Sequence, residues 1–243
     1  MEANLNGRFA LVTGAAKGMG AAFVNALAER GAKVAAVGRS SASLDDLRKR
    51  MGKTGNVIFE VADVSDRAAI SALARNVEKN FGRLDILIGN AAILGNRVAL
   101  SQTDLEDFDN VLKVNLTANI ALIRYFHPLL MKSEAPKAIF MTAASARYPK
   151  ASGSAYSVAK AGLEAMVRMY AAENSKTALC VTAFNPGATR TTMRAAVAPD
   201  EDPMTLDTPD QVAQAMVSLC RPEVKESGKL YSYPKKAFID FAE

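Results

Sequence analysis

The residues with the clearest potential for chemistry are Tyr156 and Lys160, in the run Ser-Ala-Tyr-Ser-Val-Ala-Lys. Residues four apart on a helix share one face, so the phenol and the ammonium are expected to be neighbours. A phenol ordinarily keeps its proton up to a pH of about 10. Because a nearby cation favours the phenolate, the pair predicts a lowered tyrosine pKa and proton transfer. This spacing also occurs by chance on surface helices, so the rest of the chain must decide.

The bulk properties of the chain exclude several classes of protein. Its 243 residues carry a net charge of +5, and its basic runs are short, which argues against a nucleic-acid partner. Neither a signal-peptide pattern nor an apolar run of about 18 residues is present, so a cytoplasmic protein without a membrane partner is expected. The two cysteines, Cys180 and Cys220, fit no metal-binding spacing, and no metal site is predicted.

Apolar runs typical of strands alternate with amphipathic stretches typical of helices. The predicted strands are 9–13, 33–37, 57–61, 85–89, 138–142, 179–184 and 229–232. The predicted helices are 18–30, 42–51, 66–81, 103–132, a helix that carries Tyr156 and Lys160 and runs to about 173, and 208–220. Strands apolar on both faces, separated by helices, predict an α/β fold with a doubly wound, Rossmann-like parallel sheet. No linker interrupts the pattern, so residues 1–243 are predicted to form one domain.

The long polar segment 187–207 does not fit the alternation of strands and helices. Loops of this length are more often lids over a binding site than inert connections. We therefore predict a substrate-binding lid here, with a simple connection as the alternative. Arg190 and Arg194 could meet an acidic substrate, or the nearby acidic residues could pair with them inside the lid.

A glycine-rich turn follows the first predicted strand. Its residues are Thr13-Gly14-Ala15-Ala16-Lys17-Gly18-Met19-Gly20. Glycines allow a tight turn and a close backbone approach to a pyrophosphate, which then lies at the N-terminus of the next helix. The turn therefore predicts a dinucleotide site that includes Gly14, Lys17, Gly18, Met19 and Gly20.

The end of the second strand indicates which nicotinamide cofactor is bound. NAD sites usually place an acidic residue there to bind the ribose hydroxyls, but this chain has Arg39 and Ser40. The planar guanidinium of Arg39 can bind a 2′-phosphate, and Lys17 can add a second positive charge. Together they favour NADP(H) over NAD(H).

Further motifs follow in order at suitable spacing: Asn90-Ala91-Ala92 after the fourth strand, Asn115, the Tyr156/Lys160 pair, and Asn185-Pro186-Gly187 after the sixth strand. With the glycine turn, these motifs make the chain resemble the short-chain dehydrogenase/reductase family over essentially its whole length. The resemblance implies a doubly wound domain with about seven parallel strands.

The resemblance also implies catalytic roles. Tyr156 would be the general acid/base that protonates the carbonyl oxygen during reduction. Lys160 would hold the nicotinamide ribose and lower the Tyr156 pKa. Asn115 would hold a water that links Lys160 to solvent, although an asparagine here could also simply cap or kink its helix.

Cofactor contacts are implied for residues at the ends of the other strands. Asp63-Val64 would contact adenine, Asn90 with Ala91 would shape the cofactor cleft, Pro186-Gly187 would flank the nicotinamide, and Thr189 could bind its carboxamide. The alternatives are a helix-start role for Asp63 and a plain turn at Pro186-Gly187.

The chain departs from the family pattern at the catalytic serine. That serine commonly lies 13 residues before the tyrosine, where this chain has Ala143. Ser145 is the plausible equivalent if the following loop is two residues shorter, and Thr142 is a second candidate. Loss of one hydrogen bond to a developing oxyanion typically costs about 2.7–4 kcal/mol of transition-state stabilisation.

Oligomeric state is a second point of departure. Many relatives end in a glycine-rich strand that supports a tetramer, and the C-terminal residues here differ from it. A homodimer through helices 103–132 and 154–173 is the expectation, with a homotetramer as the alternative.

Taken together, the motifs predict an oxidoreductase. It would transfer hydride between NADP(H) and a ketone or secondary alcohol, as a carbonyl reductase or an alcohol dehydrogenase. The alternative is a dinucleotide-binding sensor or scaffold whose catalysis is weakened by the displaced serine.

Overall fold

The computed structural model describes residues 4–52 and 55–241. Its strands form one sheet of eight, in the order β3-β2-β1-β4-β5-β6-β7-β8. The first seven pair in parallel, and β8 pairs antiparallel with β7. The strands are β1 (Phe9–Thr13), β2 (Lys33–Gly38), β3 (Val57–Val61), β4 (Ile86–Gly89), β5 (Lys137–Met141), β6 (Cys180–Asn185), β7 (Lys229–Ser232) and β8 (Ala237–Ile239).

The helices connect successive parallel strands. They are α1 (Gly18–Glu29), α2 (Ser41–Met51), α3 (Arg67–Phe81), α4 (Leu105–Leu112), α5 (Ala118–Leu130), α6 (Ser154–Glu173), α7 (Thr192–Val197) and α8 (Pro209–Leu219). A π-helical segment (Lys113–Thr117) joins α4 to α5, and short 3-10 turns cover Leu100–Gln102, Ala144–Ala146 and Pro203–Thr205. No helix in the described residues is long and apolar enough to cross a bilayer.

The sheet has a hydrophobic core on each face because its strands are apolar at successive positions. Leu11 packs with α3, α5 and α6 on one face, whereas its neighbours Ala10 and Val12 pack with α1 and α8 on the other. Successive side chains of a strand point to opposite faces, so a continuous apolar run serves two cores. Because β1 to β7 run parallel, their carboxyl ends meet at one edge of the sheet, where the candidate site lies.

The structure differs from the sequence prediction in three elements. The sheet has eight strands rather than about seven, because the C-terminal residues turn back as β8. The predicted helix over 103–132 is interrupted by the π-helical segment around Asn115. The segment 187–207, predicted as an irregular lid, contains α7 and a 3-10 turn. An isolated β-bridge between Thr189 and Asp207 joins its two ends.

Candidate active site

The glycine turn approaches the end of β4 closely. Gly14 has a φ of +64°, and a Cβ built there would lie 2.8 Å from Cα of Ala91. A Cβ on Gly20 would lie 2.1 Å from the carbonyl oxygen of Gly14. Neither position can accept a larger side chain without moving backbone. The glycines therefore make a compact turn pressed against the β4 end.

Asn90 joins β4 to this turn through its side chain. Its Nδ2 donates to the carbonyl oxygens of Thr13 at 2.8 Å and Gly14 at 3.3 Å. The Thr13 hydroxyl accepts the backbone N–H groups of Asn90 and Ala91 at 3.0 and 3.1 Å. Sequence reasoning assigned no role to Thr13, although a buried polar residue at the end of an apolar strand was a usable signal. These bonds join the ends of the neighbouring strands β1 and β4 and fix the path of the chain after each.

The start of α1 fits a phosphate group. Its N-cap residue, Lys17, makes no side-chain capping bond. The first backbone N–H groups of a helix have no partner within the helix and carry partial positive charge. Gly18 has a φ of +55°, and nothing lies within 3.7 Å of where its Cβ would be; the nearest atom belongs to Thr191 of the lid. The turn, with Met19 behind it, thus offers donors beneath the lid, as a pyrophosphate requires.

Cations surround the outer side of the turn. Lys17 and Arg39 are both exposed, at the turn and at the end of β2. Ser40 caps α2 by accepting the backbone N–H of Ser43 at 3.4 Å. Arg50, which the sequence did not single out, donates to the Ala16 carbonyl at 3.0 Å. A 2′-phosphate would meet the positive charges of Lys17 and Arg39, and β2 itself is followed by no acidic residue before Ser40.

Asp63 and Val64 follow β3, and Asp63 is not the start of a helix. It accepts the backbone N–H of Ser65 at 2.8 Å, while Asp66 caps α3 instead. Burial would raise the pKa of the Asp63 carboxyl, but hydrogen bonds from Ser65 and the charge of Arg39 outweigh it and lower that pKa. Val64 is buried, so the predicted adenine contact would come from the edge of this turn.

Tyr156 and Lys160 lie one turn apart on α6, as predicted. The Lys160 ammonium is 5.5 Å from the centroid of the Tyr156 ring. It also donates to the Met141 carbonyl, at the end of β5, at 2.6 Å. Lys160 is only 2% exposed, and Tyr156 is partly buried. The helix therefore presents both groups to the strand ends rather than to solvent.

Burial sets the pKa values of this pair. It raises the pKa of Tyr156 to about 12 and lowers the pKa of Lys160 to about 8. The sequence predicted a lowered tyrosine pKa, so the direction is the opposite of that prediction. The physical reason is that removal from water penalises the phenolate, while the ammonium points to the Met141 carbonyl. At neutral pH the phenol holds its proton and Lys160 is still charged.

Asn115 occupies the π-helical segment and is fully buried. Its Oδ1 accepts the backbone N–H of Ile93, and its Nδ2 donates to the Ile93 carbonyl, both at 2.8 Å. The segment packs on α6 where Leu116 comes within 2.9 Å of a Cβ built on Gly162. Both ends of the Asn115 amide are thus used to hold the loop after β4, and the irregular helix lies against the Lys160 helix.

Ser145 lies in the middle of the 3-10 turn after β5, and this turn packs on α6. Ser145 is partly buried. The second candidate serine equivalent, Thr142, is 2% exposed and donates its hydroxyl to Glu164 at 2.7 Å. That bond occupies the threonine proton, so Ser145 remains the candidate for the serine position.

The loop after β6 closes the opposite side of the cleft. Gly187 has a φ of +69°, and Pro234 from the β7–β8 turn lies 2.6 Å from where its Cβ would be. Thr189 donates its hydroxyl to the Pro186 carbonyl at 3.3 Å. The backbone N–H of Tyr233 donates to the Asn185 carbonyl at 2.9 Å. The hairpin of β7 and β8 thus forms the outer wall of this loop.

Both arginines of the lid, Arg190 and Arg194, bond to other residues of the lid. Arg194 makes two hydrogen bonds of 2.6 Å to Glu201, and Arg190 donates to the Leu206 carbonyl at 3.1 Å. Arg97, from the loop after β4, donates to the Val197 carbonyl at 2.8 Å and ties the lid across the cleft. These contacts favour the salt-bridged lid over the acid-binding alternative. In the described part of the chain, no cluster of His, Cys, Asp or Glu could hold a metal ion.

Comparison with known proteins shows the family and the fold of the chain. A family model for short chain dehydrogenases matches residues 8–202. The chain is 33% identical over 213 residues to the uncharacterised oxidoreductase YciK of Escherichia coli (strain K12), which covers 86% of this chain and 84% of that protein.

Solved structures show the same fold at similar identity. A short chain dehydrogenase of Escherichia coli CFT073 complexed with NADPH has a TM-score of 0.91 and 31% identity, over 96% of this chain and 98% of that one. One of Shigella flexneri 2a complexed with NADP has a TM-score of 0.90 and 30% identity, over 96% and 99%. The chain belongs to the short chain dehydrogenase family and is an oxidoreductase of that class.

Proposed function

We propose that the protein is an NADP(H)-dependent oxidoreductase acting on a ketone or secondary alcohol, with Tyr156 as general acid/base. The observation that carries the proposal is the pair of Tyr156, which is partly buried, and Lys160, which is buried, at the carboxyl end of β5. The same edge holds the glycine turn and an uncapped helix N-terminus. This shared edge supports the proposal that a proton donor and a dinucleotide site lie side by side.

The proposed cofactor contacts follow the strand ends. The turn from Gly14 to Gly20 would hold the pyrophosphate, and Lys17 with Arg39 would bind the 2′-phosphate. Asp63 and Val64 would bound the adenine, and Asn90 with Ala91 the floor of the cleft. Pro186, Gly187 and Thr189 would flank the nicotinamide. The bound cofactors of the similar structures and the basic end of β2 support NADP(H) over NAD(H).

When bound, the cofactor supplies the hydride, and the protein supplies position and a proton. Tyr156 donates that proton to the carbonyl oxygen as the alcohol forms. Ser145 donates a hydrogen bond to the same oxygen. At neutral pH the phenol carries its proton and is therefore in the form that can donate it.

Lys160 and Asn115 would complete the site. The Lys160 ammonium would bind the ribose of the nicotinamide and stabilise the phenolate that remains after proton transfer. The π-helical segment at Asn115 would hold the water that returns a proton to Lys160, because such segments depart from the regular α-helical hydrogen-bond pattern. These roles are carried over from the family motif onto the matching residues.

A self-association face is also proposed. Val158 and Met169 on α6 are 47% and 64% exposed, and Ile120 on α5 is 51% exposed. The exposed Ala161 and Ala172 lie on the same α6 face as Val158 and Met169. Small apolar residues on such a face allow close helix packing, so we propose a homodimer through α5 and α6.

The test is a panel of ketones and aldehydes incubated with the protein and either NADPH or NADH, with turnover followed by nicotinamide absorbance. We expect turnover with NADPH, weaker turnover with NADH, and loss of at least about 100-fold in Tyr156→Phe, as for other general acids. The matched control is Tyr125→Phe, which removes a hydroxyl on α5. Full turnover by Tyr156→Phe would refute the assigned role, and tight NADPH binding without turnover would refute the reaction.

A further inference from the structure

One buried carboxylate contacts both ends of the turn that carries Ser145. Glu164 lies on α6 and is 5% exposed. Its Oε1 accepts the Thr142 hydroxyl at 2.7 Å, at the start of the turn. The same oxygen is 3.8 Å from Nη1 of Arg147, at the end of the turn. Ser145 lies between these two contacts.

The start of the turn has a second tie to the same helix. Lys160, one helical turn before Glu164, donates to the Met141 carbonyl at 2.6 Å. Met141 and Thr142 are consecutive residues at the end of β5. Helix α6 thus holds two successive residues of that strand end. The point from which the serine turn departs is set by the helix that carries Tyr156.

The turn between the two ends is short and closed by its own backbone. The N–H of Ala146 donates to the Ala143 carbonyl at 3.0 Å, and the N–H of Arg147 to the Ala144 carbonyl at 3.1 Å. A closed turn has few backbone conformations once its ends are fixed. Holding Thr142 and Arg147 therefore holds the Ser145 hydroxyl between them.

The buried carboxylate of Glu164 contributes little to the stability of the fold, which points to another role. Burial raises the pKa of its carboxyl despite the Thr142 hydrogen bond and the charge of Arg147. The Arg147 side chain is 12% exposed, and its Nε and Nη1 have no hydrogen-bond partner among the described residues. Buried ion pairs of this kind often cost as much as they contribute to stability, and they can instead specify one geometry.

We propose that Glu164 is a positioning residue that holds the Ser145 hydroxyl beside Tyr156. The proposal rests on the proposed function, because Glu164 acts through Ser145. It accounts for a serine that lies two residues closer to Tyr156 than the family pattern places it. In this chain the loop between Ser145 and Tyr156 is two residues shorter, and the Glu164 side chain of α6 sets the position of Ser145.

The kinetic test compares Glu164→Gln, Ser145→Ala and the double variant, with Glu173→Gln, an exposed glutamate on α6, as the control. Glutamine keeps an acceptor for Thr142 but removes the charge that attracts Arg147. We expect Glu164→Gln to lower kcat about tenfold, because a displaced group of this kind is costly, and to leave the KM for NADPH within about twofold. On the Ser145→Ala background it should cost less than about twofold, because coupled residues are not additive. An equal loss on both backgrounds, or a wild-type kcat, would overturn the proposal.

A second measurement separates this proposal from the proposed function. Amide hydrogen exchange of residues 142–148 is compared in wild type, Glu164→Gln and Arg147→Met, without any substrate. Faster exchange in both variants, with Glu173→Gln unchanged, supports the positioning role. Unchanged exchange overturns it whether or not the wild type turns over any carbonyl compound. Absence of wild-type turnover alone would count against the proposed function only.

Discussion

At the residue scale, the burial of Lys160 couples the site to pH. Its ammonium is removed from water, and its pKa is lowered to about 8. Tyr156 next to it keeps its proton to a pH of about 12. Over the ordinary working range, the group that changes charge is therefore the lysine rather than the tyrosine.

This coupling predicts the pH profile of reduction. kcat/KM reports the groups of the free enzyme, so it should be flat below pH 8 and fall by up to about tenfold per pH unit above it, as Lys160 loses its charge. Measurement of initial rates from pH 6 to 10 with NADPH tests this. A profile that stays flat to pH 10 would show that Lys160 is not the titrating group.

The predicted fall in kcat/KM above pH 8 is not expected to result from unfolding of the protein. The folded pKa of Lys160 is below its ordinary value, so between about pH 8 and 10.5 the unfolded state binds more protons. The free energy of unfolding from this group therefore rises with pH in that window, by up to about 3 kcal/mol. Tyr156 has the opposite sign and weakens the fold only above about pH 10. Thermal unfolding at the same pH values serves as the control.

At the element scale, two contacts hold the lid. One is the ion pair of Arg194 and Glu201 within the lid, and the other is a hydrogen bond from Arg97 in the loop after β4. Arg194 and Glu201 join the two halves of the lid, and hydrogen bonding to Arg194 lowers the pKa of the Glu201 carboxyl. Arg97 bonds the lid from across the cleft. Loss of the ion pair should loosen the lid without touching the reacting atoms.

The variant Glu201→Gln tests the role of this ion pair. We expect faster amide exchange over residues 192–206, a substrate KM raised several-fold, and a kcat within about twofold of wild type, because a looser lid would weaken substrate binding without displacing the reacting groups. Asp200→Asn, the exposed neighbouring acid, is the matched control. Equal effects from both variants would contradict a specific role for Arg194 and Glu201.

The elements also show what the sequence could and could not predict. The parallel strands were located to within one or two residues, because apolar runs and glycine turns are local signals. The π-helical segment was missed because it depends on hydrogen bonds between Asn115 and Ile93, which are distant in sequence. The strand β8 is only Ala237–Ile239, half-buried at an edge, and its pattern is too short to recognise.

The same distinction applies within the site. The positions of Tyr156, Lys160 and the glycine turn follow from spacing alone. The direction of the Tyr156 pKa shift was predicted wrongly. A spacing of four residues predicts that Lys160 is near, but it does not show that the phenol is buried away from water. Thr13 and Glu164 were missed, because each acts through residues on other elements.

At the scale of the whole molecule, the proposed dimer face gives a prediction of its own. Met169→Glu places a charge in the centre of the exposed α6 stripe, and desolvating that charge at an interface would be costly. We expect a lower mass in solution by light scattering at micromolar concentration, with an unchanged thermal midpoint at high dilution. Lys79→Glu on α3, far from this face, is the control. A wild type that is monomeric at all concentrations would refute the face.

The packing of Pro234 against Gly187 has a consequence for the order in which the chain folds during synthesis. The proposed cofactor cleft has Gly14 on one side and, on the other, Gly187 packed against a turn about 220 positions after Gly14. A nascent chain can build most of its sheet and still lack a finished cleft until the last hairpin is in place. We therefore expect activity to appear only after the hairpin of β7 and β8 has formed. A C-terminal truncation that removes this hairpin but keeps every proposed catalytic side chain should leave an open, inactive site.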